Sequence, residues 1–202
     1  MAHGHSHGHK GFKFDVANLE KLRDPERLRY LNPDAIWAVV GRGNPRVLVE
    51  IGVGIGYFAI AFARKMPEGI VFGCDVSAEM LGHLREALRA EGVANVTPVQ
   101  SGEVKVPLAD QIADLVLMAN LHHELDDPEG SLDECRRLLR PGGLLAVIDW
   151  KPEETPTGPP VAVRIPPERI RAQMEAAGFQ AVAEHAILPY HTFFTGEKPG
   201  GC

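Results

Sequence analysis

The chain has 202 residues, 45% of them hydrophobic and 24% charged, enough for one globular domain of about 150 to 200 residues that builds a core without staples. Its formal net charge of −6 argues against a nucleic-acid backbone as the main partner, because phosphate neutralisation needs a concentrated basic surface. No stretch approaches the roughly 18 to 20 apolar residues that span a bilayer, and no charged start followed by an apolar core marks a secretory signal, so a cytoplasmic protein is expected.

The opening M-A-H-G-H-S-H-G-H alternates His3, His5, His7 and His9 with small residues, a composition that cannot form a core. Imidazoles on such a tract could wrap zinc, copper or nickel loosely; a solubilising tail is the plainer reading. Residues 1–10 are therefore read as a mobile tail and residues 11–44 as a short helical cap. From Asp15, V-A-N-L-E-K-L-R-D-P suggests one short helix. Asn32-Pro33-Asp34 then reads as a cap with proline at the first helical position.

Arg42 to Pro45 form the turn into R-V-L-V-E-I-G-V-G-I-G, residues 46–56, which opens a domain over 45–202. Val47, Leu48, Val49 and Ile51 give the continuous apolar run of a strand covered on both faces. Gly52, Gly54 and Gly56 lack the β-carbons that would keep a ligand off the backbone. The helix after them, through Phe58, Ile60, Ala61 and Ala63, should stop near Pro67 and Gly69. Ile70 to Val76, I-V-F-G-C-D-V, reads as a second strand with Asp75 at its end, and Ser77 caps a helix that runs to Glu91 before Gly92.

N-V-T-P-V-Q makes a short third strand, followed by the turn Ser101-Gly102-Glu103. D-L-V-L-M-A, ending at Ala119, makes a fourth strand that runs into Asn120-Leu121-His122-His123-Glu124. A helix from about Pro128 to Leu139 should halt at Arg140-Pro141-Gly142-Gly143, before a fifth strand L-L-A-V-I-D-W. Arg136, Arg137 and Arg140, the densest basic cluster, read as the solvated face of that helix. Lys151 to Pro160 reads as a mobile loop. Pro166 or Pro167 starts a helix with Ile170, Met174 and Ala177 on one side, ended by Gly178. Two strands joined tightly at Pro189-Tyr190 close the chain, the second antiparallel. Cys74, Cys135 and Cys202 show no C-x-x-C spacing, which suits a reducing compartment, and packing explains the first two.

A strand, glycine turn and helix in this order hold a nucleotide-like cofactor at the end of a parallel sheet. A nicotinamide dinucleotide site would show G-x-G-x-x-G, and here Tyr57 stands at the third glycine. The spacing E-x-G-x-G-x-G, from Glu50, resembles the first motif of the class I S-adenosylmethionine-dependent methyltransferases. The later pieces S-G-E-V-K-V-P-L, A-D-L-V-L-M-A-N-L-H-H-E and R-L-L-R-P-G-G-L-L-A-V-I-D-W resemble that family's later motifs in order and spacing. Together they cover roughly residues 46 to 150. The chain most resembles the subgroup of ubiquinone/menaquinone-biosynthesis and arsenite methyltransferases.

The resemblance implies an α/β fold: a Rossmann-like, doubly wound, seven-stranded, mostly parallel sheet with an antiparallel last strand and a short N-terminal helical cap. It implies that Gly52, Gly54 and Gly56 approach the methionine part of S-adenosylmethionine, that Asp75 accepts both ribose hydroxyls and that Val76 packs on the adenine. Glu103, where the family commonly has Asp, would accept from the adenine amino group with Val104 beside it. Asn120 and Leu121 would line the wall near the sulfonium. Glu50 is either part of this site or a structural acid that accepts backbone N–H groups of the glycine loop. Methyl transfer is an in-line displacement that a dry, aligning site can promote, and a base matters only if the acceptor must lose a proton. His122 and His123 are the nearest candidates by position, with His191 and Tyr190 behind them.

The expected function is methyl transfer to a small-molecule acceptor, since the cap, with the loop 151–165, leaves little surface for a macromolecule. Arsenite methylation is the alternative suggested by the subgroup, although three cysteines without a clear metalloid set weaken it. A metal- or metalloid-responsive binding protein that kept the fold and lost turnover is a third reading.

Overall fold

The computed structural model describes residues 19–201, and the histidines at 3, 5, 7 and 9, like Cys202, lie outside them. Three short helices open the described chain: α1 (Leu19–Arg23), α2 (Arg27–Tyr30) and α3 (Pro33–Val40). Asn32 caps α3 by accepting from the Asp34 N–H, with Pro33 in the first turn, as its sequence demands. The four-residue α2 carries no periodicity of its own and was not expected. It is held from outside, by the Tyr57 hydroxyl donating to the Leu31 carbonyl and by Arg27 lying 4.0 Å over the Tyr57 ring.

The alternating elements follow: β1 (Val47–Ile51), α4 (Tyr57–Lys65), β2 (Ile70–Asp75), α5 (Ala78–Glu91), β3 (Val96–Gln100), β4 (Ala113–Ala119), α6 (Pro128–Leu138), β5 (Leu139–Trp150), α7 (Pro167–Ala176), β6 (Gln180–Glu184) and β7 (His191–Glu197). The strands form a seven-stranded sheet in the order β3-β2-β1-β4-β5-β7-β6, with β7 antiparallel to both its neighbours. This is the expected doubly wound Rossmann-like architecture. Ser77 caps α5 by accepting from Met80, and Gly92 ends it in a left-handed conformation at φ 65°.

Pleating sorts the central strands between two cores. Leu48, Leu115 and Leu117 face one side with α3, α4 and α5, while Val49, Val116 and Met118 face the other with α6 and α7. Both faces are covered, which explains why β1 and β4 read as unbroken apolar runs. Glu50 shares the pleat of Leu48 and so points into the α4 side. Cys74 and Cys135 are packed in the second core, as expected.

Four local expectations are corrected. Arg140 to Gly143 do not stand outside the fifth strand: β5 begins at Leu139, pairs with Ala113, and bulges before resuming at Leu144 opposite Leu115. Arg137 is not a solvated residue, because its guanidinium pairs with buried Glu134 at 2.7 Å, with Asp110, and with the carbonyls of Val106 and Leu108. The turn between β6 and β7 is not tight at Pro189-Tyr190; it spans 185–190 and buries Leu188. Finally, the segment 151–160 is irregular but not free. Buried Arg164 donates to the carbonyls of Lys151, Glu153, Thr157 and Pro159 and gathers them into a compact strap.

Candidate functional site

A cavity of about 750 Å³ opens at the C-terminal ends of β2, β1, β4 and β5. Between β1 and β4 the strand order reverses, so the connecting loops diverge and leave a crevice, the usual ligand position on an open parallel sheet. The size falls within the roughly 300 to 1,000 Å³ of small-molecule sites.

The glycine turn builds the floor between β1 and β2. Gly52, Gly54 and Gly56 all have positive φ, at 74°, 53° and 93°, a region that other residues enter only under strain. A β-carbon on Gly54 would meet nothing nearer than Leu22, 4.0 Å away, and would project into the cavity. One on Gly56 would fall 2.5 Å from Leu84, so that glycine serves helix packing instead. The amides of Gly52 and Val53 donate to the Cys74 carbonyl, and Gly54 donates to Asp75 Oδ2 at 2.9 Å.

Asp75, whose other oxygen accepts from Ser77, is therefore the acid that orients this loop. Burial raises its pKa above the ordinary value against the pull of those N–H donors. Glu50 does not play that part. Its carboxyl accepts from Ala59 in the first turn of α4, where Gly56 offers no capping side chain, and its Oε2 has no partner among the described residues. Burial pushes Glu50 up to about 8.

Beyond Asp75, Val76 is 51% exposed on the cavity rim, an apolar surface left uncovered. Ser101 to Val104 line the same end, with Glu103 exposed and Val104 partly covered. Opposite them, Asn120 and Leu121 follow β4. Asn120 sits at φ 55° with its Oδ1 buried and unpartnered among the described residues, a strained position that fits a hydrogen-bond donor from a ligand.

The two adjacent histidines part company. His122 turns away from the cavity and hydrogen-bonds through Nε2 to Gln173 of α7 at 2.9 Å, and burial lowers its pKa. His123 lines the cavity. Its Nδ1 lies 2.7 Å from Asp149 Oδ1, and its backbone N–H donates to Asp149 Oδ2. Asp149 is fully buried, yet His123 and the Trp150 N–H hold its pKa below the ordinary value against desolvation. An ionised Asp149 can only accept, so Nδ1 carries the proton and Nε2 is left with a lone pair in neutral His123. Although burial opposes it, the Asp149 hydrogen bond raises the His123 pKa overall, with Glu124 adding to it from 3.7 Å.

Asp149 was missed in the sequence because its link to His123 exists only through lateral pairing. Ala119 of β4 sits opposite Ile148 of β5, and that register brings the residues just beyond them together. Arg27, Tyr30, Tyr57, Trp150 and residues 156–160 also line the cavity and were not singled out. His191 and Tyr190 do not line it. His191 is buried between Tyr30 and Trp150, ring centroids 6.0 and 4.1 Å away, and burial drives its pKa down to about 3. No group of three or more metal-ligating side chains occurs among the described residues, nor does any helix there suffice in length and apolarity to cross a membrane.

Comparison with known proteins agrees with this geometry. The sequence profile described as "Methyltransferase domain" matches residues 49–147. The chain is 30% identical to an S-adenosylmethionine-dependent methyltransferase from Aquifex aeolicus whose crystal structure it matches with a TM-score of 0.85, over 92% of this chain and 99% of that one. It is 35% identical over 113 residues to the ubiquinone/menaquinone biosynthesis C-methyltransferase UbiE of Cupriavidus taiwanensis, covering 53% of this chain and 46% of the relative. It is 27% identical over 164 residues to the arsenite methyltransferase of Halobacterium salinarum, covering 71% and 42%. The chain thus spans less than half the length of these two curated relatives.

Proposed function

As the chain belongs to the class I S-adenosylmethionine-dependent methyltransferases, enzymes with S-adenosylmethionine as cofactor, we propose that it transfers a methyl group to a small-molecule acceptor in the cavity at the strand ends. The observation that carries this reading is the pairing of a cradle of bare backbone at Gly54 with a carboxylate, Asp75, on the neighbouring strand end. The cofactor supplies a methyl group activated on a sulfonium.

The residues fit such a group. Asp75 spends one lone pair of Oδ2 on Gly54 and retains acceptor capacity for sugar hydroxyls. Exposed Val76 offers an apolar face to a purine, with Glu103 and Val104 beyond it. The unpartnered oxygens of Glu50 and Asn120 give a cationic ligand the acceptors it needs in a partly dry wall. Cytoplasmic residence belongs to the same reading.

His123 serves as base where the acceptor carries a proton. His122, bound to Gln173, is no part of that step. A metalloid acceptor is the second reading, supported by the arsenite methyltransferase relative. Neither Cys74 nor Cys135 lines the cavity, so no thiol among the described residues is offered to arsenic there.

Calorimetry with S-adenosylhomocysteine and, separately, NAD tests the assignment. Binding of the first and none of the second is expected, and Asp75→Ala should weaken it by roughly 1.5 to 3 kcal/mol, the range for hydrogen bonds to a charged group. NAD binding in place of S-adenosylhomocysteine would remove the proposal.

A further inference from the structure

The cavity has a second end, and its chemistry differs from the first. Around the close of β5 the lining is Tyr30, Trp150, Pro156, Pro159 and Pro160, with His123 set among them. The Tyr30 and Trp150 rings lie 6.0 Å apart at 40°. Gly158, at φ 109°, brings the strap so close to Trp150 that a β-carbon would fall 2.9 Å from the indole. Tyr30 hydrogen-bonds to Thr157, and Arg164 clamps the strap from behind while stacking 5.3 Å over the same indole. Flat, rigid apolar surfaces thus flank a slot at His123 Nε2, the imidazole nitrogen with the lone pair, while the Glu124 carboxylate, 3.7 Å from that nitrogen, adds to Asp149 in raising its basicity against the opposing charge of Arg164.

Resting on the methyltransferase reading, we propose that the acceptor is an uncharged, planar ring compound bearing an acidic hydroxyl, and that it is methylated on that oxygen. The hydroxyl gives its proton to His123 Nε2, its oxygen bonds to the methyl carbon, and the electron pair of the cleaved sulfur–carbon bond stays on sulfur. The products are a methyl ether, a neutral thioether and an imidazolium held by Asp149, which later yields its proton to water.

The strength of the base sets the class of hydroxyl. A phenolic or enolic group, with pKa about 10, lies within a few units of a histidine raised above its usual 6.5, and proton transfer is feasible as the new bond forms. An aliphatic hydroxyl, close to the 15.7 of water, lies about nine units away and beyond this dyad without a metal. Asp149 acts through His123 and is a positioning residue: it fixes the tautomer that leaves Nε2 able to accept.

The test uses the full chain carrying Trp37→Phe, which leaves Trp150 as the single indole, saturated with S-adenosylhomocysteine. Titration with 1-naphthol, 2-naphthol and 2-naphthylamine is read by Trp150 fluorescence, and the same probes are then incubated with labelled S-adenosylmethionine. Quenching by the naphthols and formation of their methyl ethers are expected. His123→Asn should cut that turnover at least a hundredfold and leave quenching in place. Asp149→Asn should move the acid limb of the pH–rate profile to lower pH. Should Asp149→Asn fail to fold, the His123→Asn comparison alone decides. Naphthols that neither quench nor react, or methylation confined to the naphthylamine, would overturn the acceptor class while S-adenosylhomocysteine binding leaves the methyltransferase reading standing.

Discussion

His123 Nδ1, just past the end of β4, and Asp149 Oδ1, among the last residues of the adjacent parallel strand β5, meet at 2.7 Å, both shut away from solvent. The pair sets a window of pH-dependent stability. His123 is raised above 6.5 in the fold, so its contribution is complete below that value and disappears as pH climbs through the folded pKa. Asp149 is depressed below 3.8, so its contribution is present above that value and disappears as pH falls through the folded pKa. The stability difference between the parent and His123→Gln, measured by urea unfolding, should be largest between about pH 4 and 6.5 and shrink on either side.

Glu50 gives the opposite dependence. Its pKa rises from 4.5 to about 8 on folding, so the folded state binds a proton that the unfolded chain releases. Stability from this group falls by about 1.4 kcal/mol per pH unit between those values. Glu50→Gln should therefore raise the melting temperature at pH 7 and flatten the pH profile, while weakening S-adenosylhomocysteine binding. A melting temperature unchanged at pH 7 would show that the carboxyl is not protonated by burial.

Two glycine substitutions separate binding from folding. Gly54→Ala places its methyl in open space and should cost only about 1 kcal/mol of backbone strain, yet lower cofactor affinity tenfold or more. Gly56→Ala adds a clash with Leu84 in the core and should cost about 3 kcal/mol of stability. Paired chemical denaturation and calorimetry on the two variants would read this contrast.

Arg164→Lys is a third probe. Lysine cannot reproduce a planar fork that reaches four carbonyls, so the strap loses its anchor. Limited proteolysis within residues 151–160 should accelerate, and KM for the acceptor should rise with affinity for S-adenosylhomocysteine unaltered. Equal proteolysis of parent and variant would mean that the strap is held by its prolines alone.

What was legible in the residues followed from local rules. Asn32, Ser77 and Gly92 announce helix ends because a side chain or a left-handed backbone satisfies orphan groups within a few residues. The runs in β1 and β4 are apolar because both faces are covered. Contacts distant in sequence were not legible. Arg137 looks like a surface residue on a helical wheel and is drawn inward by a loop from before the helix. His122 and His123 are equivalent as letters, and only the tight 3₁₀ turn at His122–Glu124 sends one to α7 and the other to the cavity. The strap reads as disorder from its prolines, since the arginine that organises it stands four residues past its end.

The Gly54 amide is already bonded to Asp75 before any ligand arrives. If this turn meets the methionine part of the cofactor as proposed, it needs no ordering on association, so little backbone entropy is lost at that moment. On that reading, capture of the cofactor is a matter of collision and desolvation rather than of assembling a receptor, and the proposed acceptor slot leaves discrimination to the opposite, strap-lined half of the crevice.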